Sequence, residues 1–313
     1  MGVKIGIEGV TCHREAVKAK ALKLAGMIHT ASLRKRNKYE VVRELWKGVA
    51  VPSCMFGAEL IAFRDADLKE MEKIQNKVGR TALNIPKYAA TEGIRGEMGW
   101  STWEERIAAA KIIFHRRIEN MEDTRWAKKV WQWRGEDSAW KKGVKKLERK
   151  WGTENMSIPE VRLKVREEGG VRWKEGMERK TTLRWYKYKE KPRKEWIYSG
   201  SWECSLLAKA RLGILETNAR QWGDGADRSC RTCGVVETME HVLIECDAYE
   251  DERFEAEVMY IAILGIEDWE TIKEQEDQGI TTILGIQGRE EIKAEITECT
   301  KKFLGKIWRK RGQ

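Results

Sequence analysis

The sequence predicts a mainly α-helical protein, and three observations carry the prediction. Only four prolines occur in 313 residues, so long helices can run without interruption. Apolar residues recur at three- and four-residue spacing through the first two-thirds of the chain. Strand-like alternation is confined to residues 1–10, where Val3, Ile5 and Ile7 fall on every second position.

The first helix is expected over 13–36, with Ala21, Leu24, Ala25 and Ile28 on one face. A second, over 39–51, places Val42, Leu45, Trp46 and Val49 at helical spacing, and Pro52 should kink or end it. Asp65 is positioned to cap a helix over 65–83 whose inner face is Leu68, Met71, Ile74, Gln75 and Val78; Pro86 then breaks the chain. Ser101-Thr102-Trp103-Glu104 reads as a capping box opening a helix through Ile107, Ala110, Ile113, Phe114 and Ile118. The helical pattern is weaker over 123–198. Ser157-Ile158-Pro159-Glu160 marks a helix start there, and 202–212 forms one more helix. A turn-rich connector with Gly223, Asp224 and Gly225 follows, then acidic helices at about 247–262, 267–278 and 288–308. Ile263-Leu264-Gly265-Ile266 recurs as Ile283-Leu284-Gly285-Ile286, and both copies read as helix-ending turns at Gly.

A 41% hydrophobic content is ample for a buried core. The net charge of +10 is unevenly spread: +7 over 1–101, +12 over 102–223, −15 over 224–300 and +6 over 301–313. A basic body, an acidic segment and a basic tail point to a polyanionic partner. The acidic segment is either a solvated helical face or a mask that folds back on the basic body. The longest apolar stretch, 48–63, is interrupted by Pro52 and Glu59 and falls short of the roughly 20 residues a membrane span needs. Seven cysteines without a secretory signal argue against a disulfide framework and for an intracellular setting, nucleus or cytoplasm.

The most specific feature is Cys230-x2-Cys233-x7-His241-x4-Cys246. Two cysteines separated by two residues can aim both thiolates at one point, and Gly234 suits the tight turn behind them. With His241 and Cys246 they complete a tetrahedral set of the kind Zn²⁺ prefers. Four protein ligands leave no open position, so the expected site is structural. A redox reading of Cys230-x2-Cys233 lacks a βαβ setting, and a RING-type site would need eight ligands. Cys12, Cys54, Cys204 and Cys299 are scattered and read as buried or inert. His13, His29 and His115 show no carboxylate or Cys partner at useful spacing.

Residues 125–202 interleave cations with aromatics. Lys141, Lys142, Lys145, Lys146, Arg149, Lys150, Arg184 and Lys187 are candidates for phosphate contact, and Trp151, Trp185 and Tyr188 for stacking on unpaired bases. The competing reading is a solvated helix face with Trp packed inside.

The stretch Cys230-Arg231-Thr232-Cys233-Gly234, with Glu237-Thr238 and Glu240-His241-Val242-Leu243, then Glu245-Cys246 and Tyr249, resembles the C-terminal zinc-binding domain of non-LTR (LINE-type) retrotransposon reverse transcriptase polyproteins. Leu45-Trp46, Pro52, Gly57, Glu59, Leu68, Ile74-Gln75-Asn76 and Gly96-Glu97-Met98-Gly99-Trp100 resemble the thumb and connecting helices after the polymerase palm of that family. Residues 1–6 resemble the strand at the palm–thumb junction, which would make Met1 an internal position of a longer ancestor. The likeness covers about 1–120 and 200–260.

It implies a helical thumb-like bundle over 1–122 and a CCHC zinc module over 201–262; composition and helical pattern set off a basic Trp-rich helical region over 123–200 and a helical tail over 263–313. It also implies a nucleic-acid partner, RNA in preference to DNA, with no membrane, and an upstream palm supplied elsewhere. The chain holds no Asp-Asp pair for the two-metal chemistry of polymerisation. No Pro-Asp pattern of a restriction-like nuclease occurs either, since Ser53, Lys87, Glu160 and Arg193 follow the prolines. The chain is therefore not expected to be an enzyme. Two competitors stand beside the nucleic-acid reading: a zinc-stabilised protein-interaction module built on the acidic helices, and an element remnant without function.

Overall fold

The computed structural model describes residues 11–33, 36–135, 138–221, 223 and 225–312. The alternating stretch at 1–10, and Asp224 of the connector, lie outside them. Among the described residues the fold is mainly α, with fourteen α-helices and no extended strand. They are α1 Thr11–Ser32, α2 Lys38–Leu45, α3 Val51–Met55, α4 Asp65–Leu83, α5 Thr91–Met98, α6 Trp103–Glu119 and α7 Trp126–Trp133. Then follow α8 Ala139–Trp151, α9 Ile158–Glu178, α10 Trp202–Arg211, α11 Glu250–Leu264, α12 Ile266–Glu274, α13 Glu276–Ile283 and α14 Glu290–Arg311. They gather into two compact units that interleave in sequence. One takes the described residues of Met1–Arg34, Val41–Gly79 and Trp100–Trp173, and the other those of Lys35–Glu40, Arg80–Gly99 and Lys174–Gln313.

In the first unit, Pro52 does not end the second helix. A wide π-turn at Trp46–Ala50 intervenes, closed by the Val51 N–H donating to the Trp46 carbonyl. Pro52 then falls in the first turn of α3, where a missing N–H costs nothing. Asp67, not Asp65, serves the start of α4: its buried carboxylate accepts the Arg64 N–H at 3.1 Å. The Arg64 guanidinium, with Lys18 beside it, holds that carboxyl at about 2.

The cap of α6 is one residue later than Ser101. The Thr102 side chain accepts the Glu105 N–H at 3.1 Å, while the Ser101 carbonyl accepts from Gln75. The buried face of α6 is accordingly Ile107, Ala108, Ile112, Ile113 and Ile118, with Ala110 and Phe114 only half-buried. Thr102→Ala should lower stability by roughly 1 kcal/mol in a denaturant titration, because one buried helix-start N–H loses its acceptor. The Ser157 start holds as expected, with its N–H donating to Glu160 at 2.7 Å.

Trp46 is fully buried in this unit, with its ring 6.0 Å from Trp100 and 6.3 Å from Trp103, and its indole N–H on Gln75. A second cluster packs Ala108, Ile112 and Ile113 of α6 against Val144 and Trp151 of α8 and Val161 and Val165 of α9.

In the second unit, α14 packs along α10 and α11. The acidic stretch forms four helices rather than three, because the extended backbone of Gln275 breaks the expected 267–278 helix into α12 and α13. Both repeated Ile-Leu-Gly-Ile turns do end helices, with φ +90° at Gly265 and +63° at Gly285. The core of this unit is partly ionic. Glu97 is fully buried and accepts from the Arg211 guanidinium at 2.9 and 3.1 Å. Arg211 also donates to Glu195 at 3.1 Å and to the Leu284 carbonyl at 2.6 Å. Lys189 closes the set, paired with Glu195 and donating to the Gly96 carbonyl at 3.0 Å. The Tyr198 hydroxyl donates to Glu97 as well. Burial alone would raise the Glu97 carboxyl, but Arg211 and Lys189 outweigh it and hold it at about 2.

Candidate metal centre and basic surface

The segment around the cysteines is shaped by local hydrogen bonds. Cys230 N–H donates to the Val235 carbonyl at 2.6 Å and Gly234 N–H to the Cys230 carbonyl at 2.9 Å, folding Cys230 and Cys233 into one tight turn. Gly234 takes φ +73°, a conformation open to Gly at no steric cost. Ser229 and Val236 pair across the base of that turn. Thr238 then starts a helical turn by accepting the His241 N–H at 3.1 Å. Residues His241–Glu245 make a π-turn closed by the Cys246 N–H on the His241 carbonyl at 2.7 Å. Five residues in an ordinary α-turn would leave His241 and Cys246 on diverging faces; the wider π-turn brings them round to one side.

The result is a cluster of Cys230, Cys233, His241 and Cys246 whose ligand atoms all lie within 4.8 Å of one another, a set that could hold a metal ion. The Cys246 sulfur is 3.6 Å from that of Cys230 and 3.8 Å from that of Cys233. His241 is buried, its Nδ1 faces Glu245 at 3.4 Å, and its Nε2 has no hydrogen-bond partner. Burial disfavours the Cys230 thiolate, but the Cys233 and Thr232 N–H groups and the facing His241 imidazole prevail and lower the thiol to about 7. Cys246, the deepest of the three, is pushed by burial up to about 12.

A second layer of bonds fixes the cluster in its unit. Buried Glu237 accepts both guanidinium nitrogens of Arg311, at 2.6 and 2.8 Å, and the Asn218 N–H at 2.7 Å. Arg253 donates to the Cys246 carbonyl at 2.9 Å. The sequence offered Glu237 only as a motif letter. Its role as the anchor to α14 needed the partner 74 residues away.

The basic candidates divide. On α8, Lys142, Lys145, Lys146, Arg149 and Lys150 are exposed, with Lys150 paired to Glu104 and Arg149 4.0 Å from Glu154. Lys141 is buried, its ammonium 3.7 Å from the centre of the Trp131 ring. Trp151 is 1% exposed beneath Arg172, whose guanidinium lies 4.0 Å from its ring centre. Trp185 is buried too. Lifting a core Trp out would sacrifice about 3–5 kcal/mol, against about 1–3 kcal/mol for stacking on a base. Lys141, Trp151 and Trp185 therefore do not offer themselves to a nucleic acid.

Arg184 is exposed but shared between Glu240 and Asp277, at 3.4 and 3.5 Å, and the Tyr188 hydroxyl donates to Asp277 at 2.9 Å. Lys187 is exposed. Acidic residues also meet the basic tail: Glu252 pairs with Lys310, Glu255 with Lys306 and Glu237 with Arg311. Within this unit acidic side chains thus pair with the tail and with Arg184.

Of the scattered cysteines, Cys54 and Cys204 are buried, Cys299 is half-buried and Cys12 is exposed. One other sequence reading changes. His115 does have carboxylate neighbours, Glu119 at 3.6 Å and Glu148 at 4.0 Å; the first was legible as an i,i+4 pair. No helix among the described residues is long and apolar enough to cross a membrane. No protein-family model, curated protein or solved structure matches the chain.

Proposed function

We propose that this chain is a zinc-stabilised nucleic-acid-binding region, RNA-directed in preference to DNA, of the kind found after the polymerase in LINE-type reverse transcriptases. Its role is to bind and position, and catalysis is left to a palm supplied elsewhere. The observation that carries the reading is the metal-ready cluster in a chain whose α8 presents five exposed cations. The sulfur spacing supports zinc as the ion. Tetrahedral bonds of about 2.3 Å separate two thiolates by about 3.8 Å, against 3.6 and 3.8 Å here. His241 supports it as well, since Glu245 on Nδ1 leaves Nε2 as the ligand atom. The ion would be structural, with all four positions taken by protein.

The test is fluorescence anisotropy of the zinc-loaded protein with single-stranded RNA and duplex DNA across a salt series. Five phosphate contacts predict roughly a hundredfold loss of affinity over a fourfold rise in salt. The paired substitution Lys145→Glu and Lys146→Glu should flatten that slope and weaken binding. Absent or salt-insensitive binding by folded, zinc-loaded protein would overturn the reading.

A further inference from the structure

Helix α7 has no buried residue at all. Trp126, Val130 and Trp133, spaced four and three apart, form one line along it and are 80%, 47% and 85% exposed. The helix is nevertheless held in place from its other side. Lys128 donates to the Glu119 carbonyl at 2.6 Å, and half-buried Trp131 lies against His115, its ring flanked by Lys128 and Lys141. The outward line is thus a fixed presentation of two indoles, in a unit that buries Trp46, Trp103 and Trp151 completely. Contiguous exposed aromatic surface with a polar rim marks an interaction site.

The charge around the line says what kind. α7 itself contains no acidic residue, Lys129 sits 5.3 Å from the Trp126 ring centre, and Arg125 and Arg134 are exposed at its two ends; an acid beside it, Asp123, accepts the Gln132 amide at 2.8 Å. The exposed cations of α8 belong to the same unit. Flat apolar rings among cations complement a polyanion that shows flat apolar faces of its own. Single-stranded nucleic acid does so; a duplex keeps its base faces stacked inside. A bilayer surface would ask for a broad apolar face, and this line is one residue wide with Lys129 and Gln132 beside it.

We infer that α7 is a stacking platform for single-stranded nucleic acid, with Trp126 and Trp133 as the rings that take bases and α8 as the adjoining phosphate path. The seven-residue separation places the two rings about 10 Å apart along the helix, so each serves its own base. This rests on the nucleic-acid reading above and deepens it by fixing the strandedness and the residues.

The experiment compares intact zinc-loaded wild type, Trp126→Ala with Trp133→Ala, and Trp126→Phe with Trp133→Phe. Each is titrated into a labelled unstructured single strand, its duplex, and phosphatidylserine-containing vesicles. The Ala pair should weaken single-strand binding roughly thirtyfold or more while leaving the salt slope and duplex binding unchanged. The Phe pair should restore most of the affinity. Wild-type single-strand affinity in the Ala pair overturns the platform and leaves the salt-dependent reading standing. A loss confined to vesicle binding overturns it in favour of a membrane surface. No binding by wild type at low salt removes both proposals.

Discussion

Cys246→Ser should abolish stoichiometric metal binding and leave residues 228–249 unfolded, with the α11 and α14 ends they support frayed. The segment's own fold is slight, one isolated bridge, a tight turn and a π-turn, and besides the metal the Glu237 and Arg253 bonds and the buried Val242 and Leu243 tie it down. Structural zinc contributes an apparent 10–16 kcal/mol in comparable small modules, far more than those few hydrogen bonds at about 1 kcal/mol each. Cys246 is the most sensitive position because it is fully buried and its sulfur touches both other thiols. The damage should spread along two bonds, Arg253 to the Cys246 carbonyl and Arg311 to Glu237. Metal analysis with hydrogen exchange would measure it. The amides of Gly234, Val242 and Cys246 should lose protection, and those of α6 and α8 should keep it. Chelation of the wild type should reproduce the pattern, and Cys12→Ser, at an exposed position outside the cluster, should change neither metal content nor exchange. Full protection in Cys246→Ser protein without metal would mean that packing alone holds the module.

Much of this was legible in the sequence, and the parts that were not share a physical cause. The helices follow from apolar periodicity, and the ligand set from spacing, because both are encoded within some twenty residues. Helix phase on α8 is legible as well. Lys141, Val144, Glu148 and Trp151 fall at spacings of three, four and three, so a face anchored on Val144 takes Lys141 and Trp151 inward with it. On α7 the same spacing misleads. Trp126, Val130 and Trp133 have the spacing of a core stripe, yet all three are exposed in the fold. The shift from Asp65 to Asp67 and from Ser101 to Thr102 reflects side chains of other turns, Lys18 and Gln75, that claim particular groups. Pairs such as Arg184 with Asp277, 93 residues apart, leave no local trace.

Glu97→Gln should be the most damaging single substitution outside the metal cluster, at about 3–5 kcal/mol of destabilisation. The reason is what it leaves behind. Glu97, Arg211, Glu195 and Lys189 are all buried and balance to zero formal charge. Neutralising Glu97 strands a guanidinium and an ammonium with one carboxylate between them in a site without solvent. The loss belongs to an uncompensated buried charge, not to the worth of one ion pair. Glu168→Gln, which breaks the more exposed Lys164 pair at 2.8 Å, should therefore change stability by less than about 1 kcal/mol.

The pH dependence carries the same signature. The folded Glu97 carboxyl lies at about 2, below its ordinary value of 4.5. Its contribution is complete above that ordinary value and is lost as pH falls towards 2. Wild-type protein should thus lose stability steeply over that interval, and the Gln variant, already lacking the contribution, should lose less. Melting curves from neutral pH down to about 3 would decide it. Equal slopes in the two proteins would mean that Glu97 is not the ionised centre of this core. A steeper wild-type slope would identify the buried ionic set as the element that ties α5, α10 and the 186–195 segment into one cooperative unit.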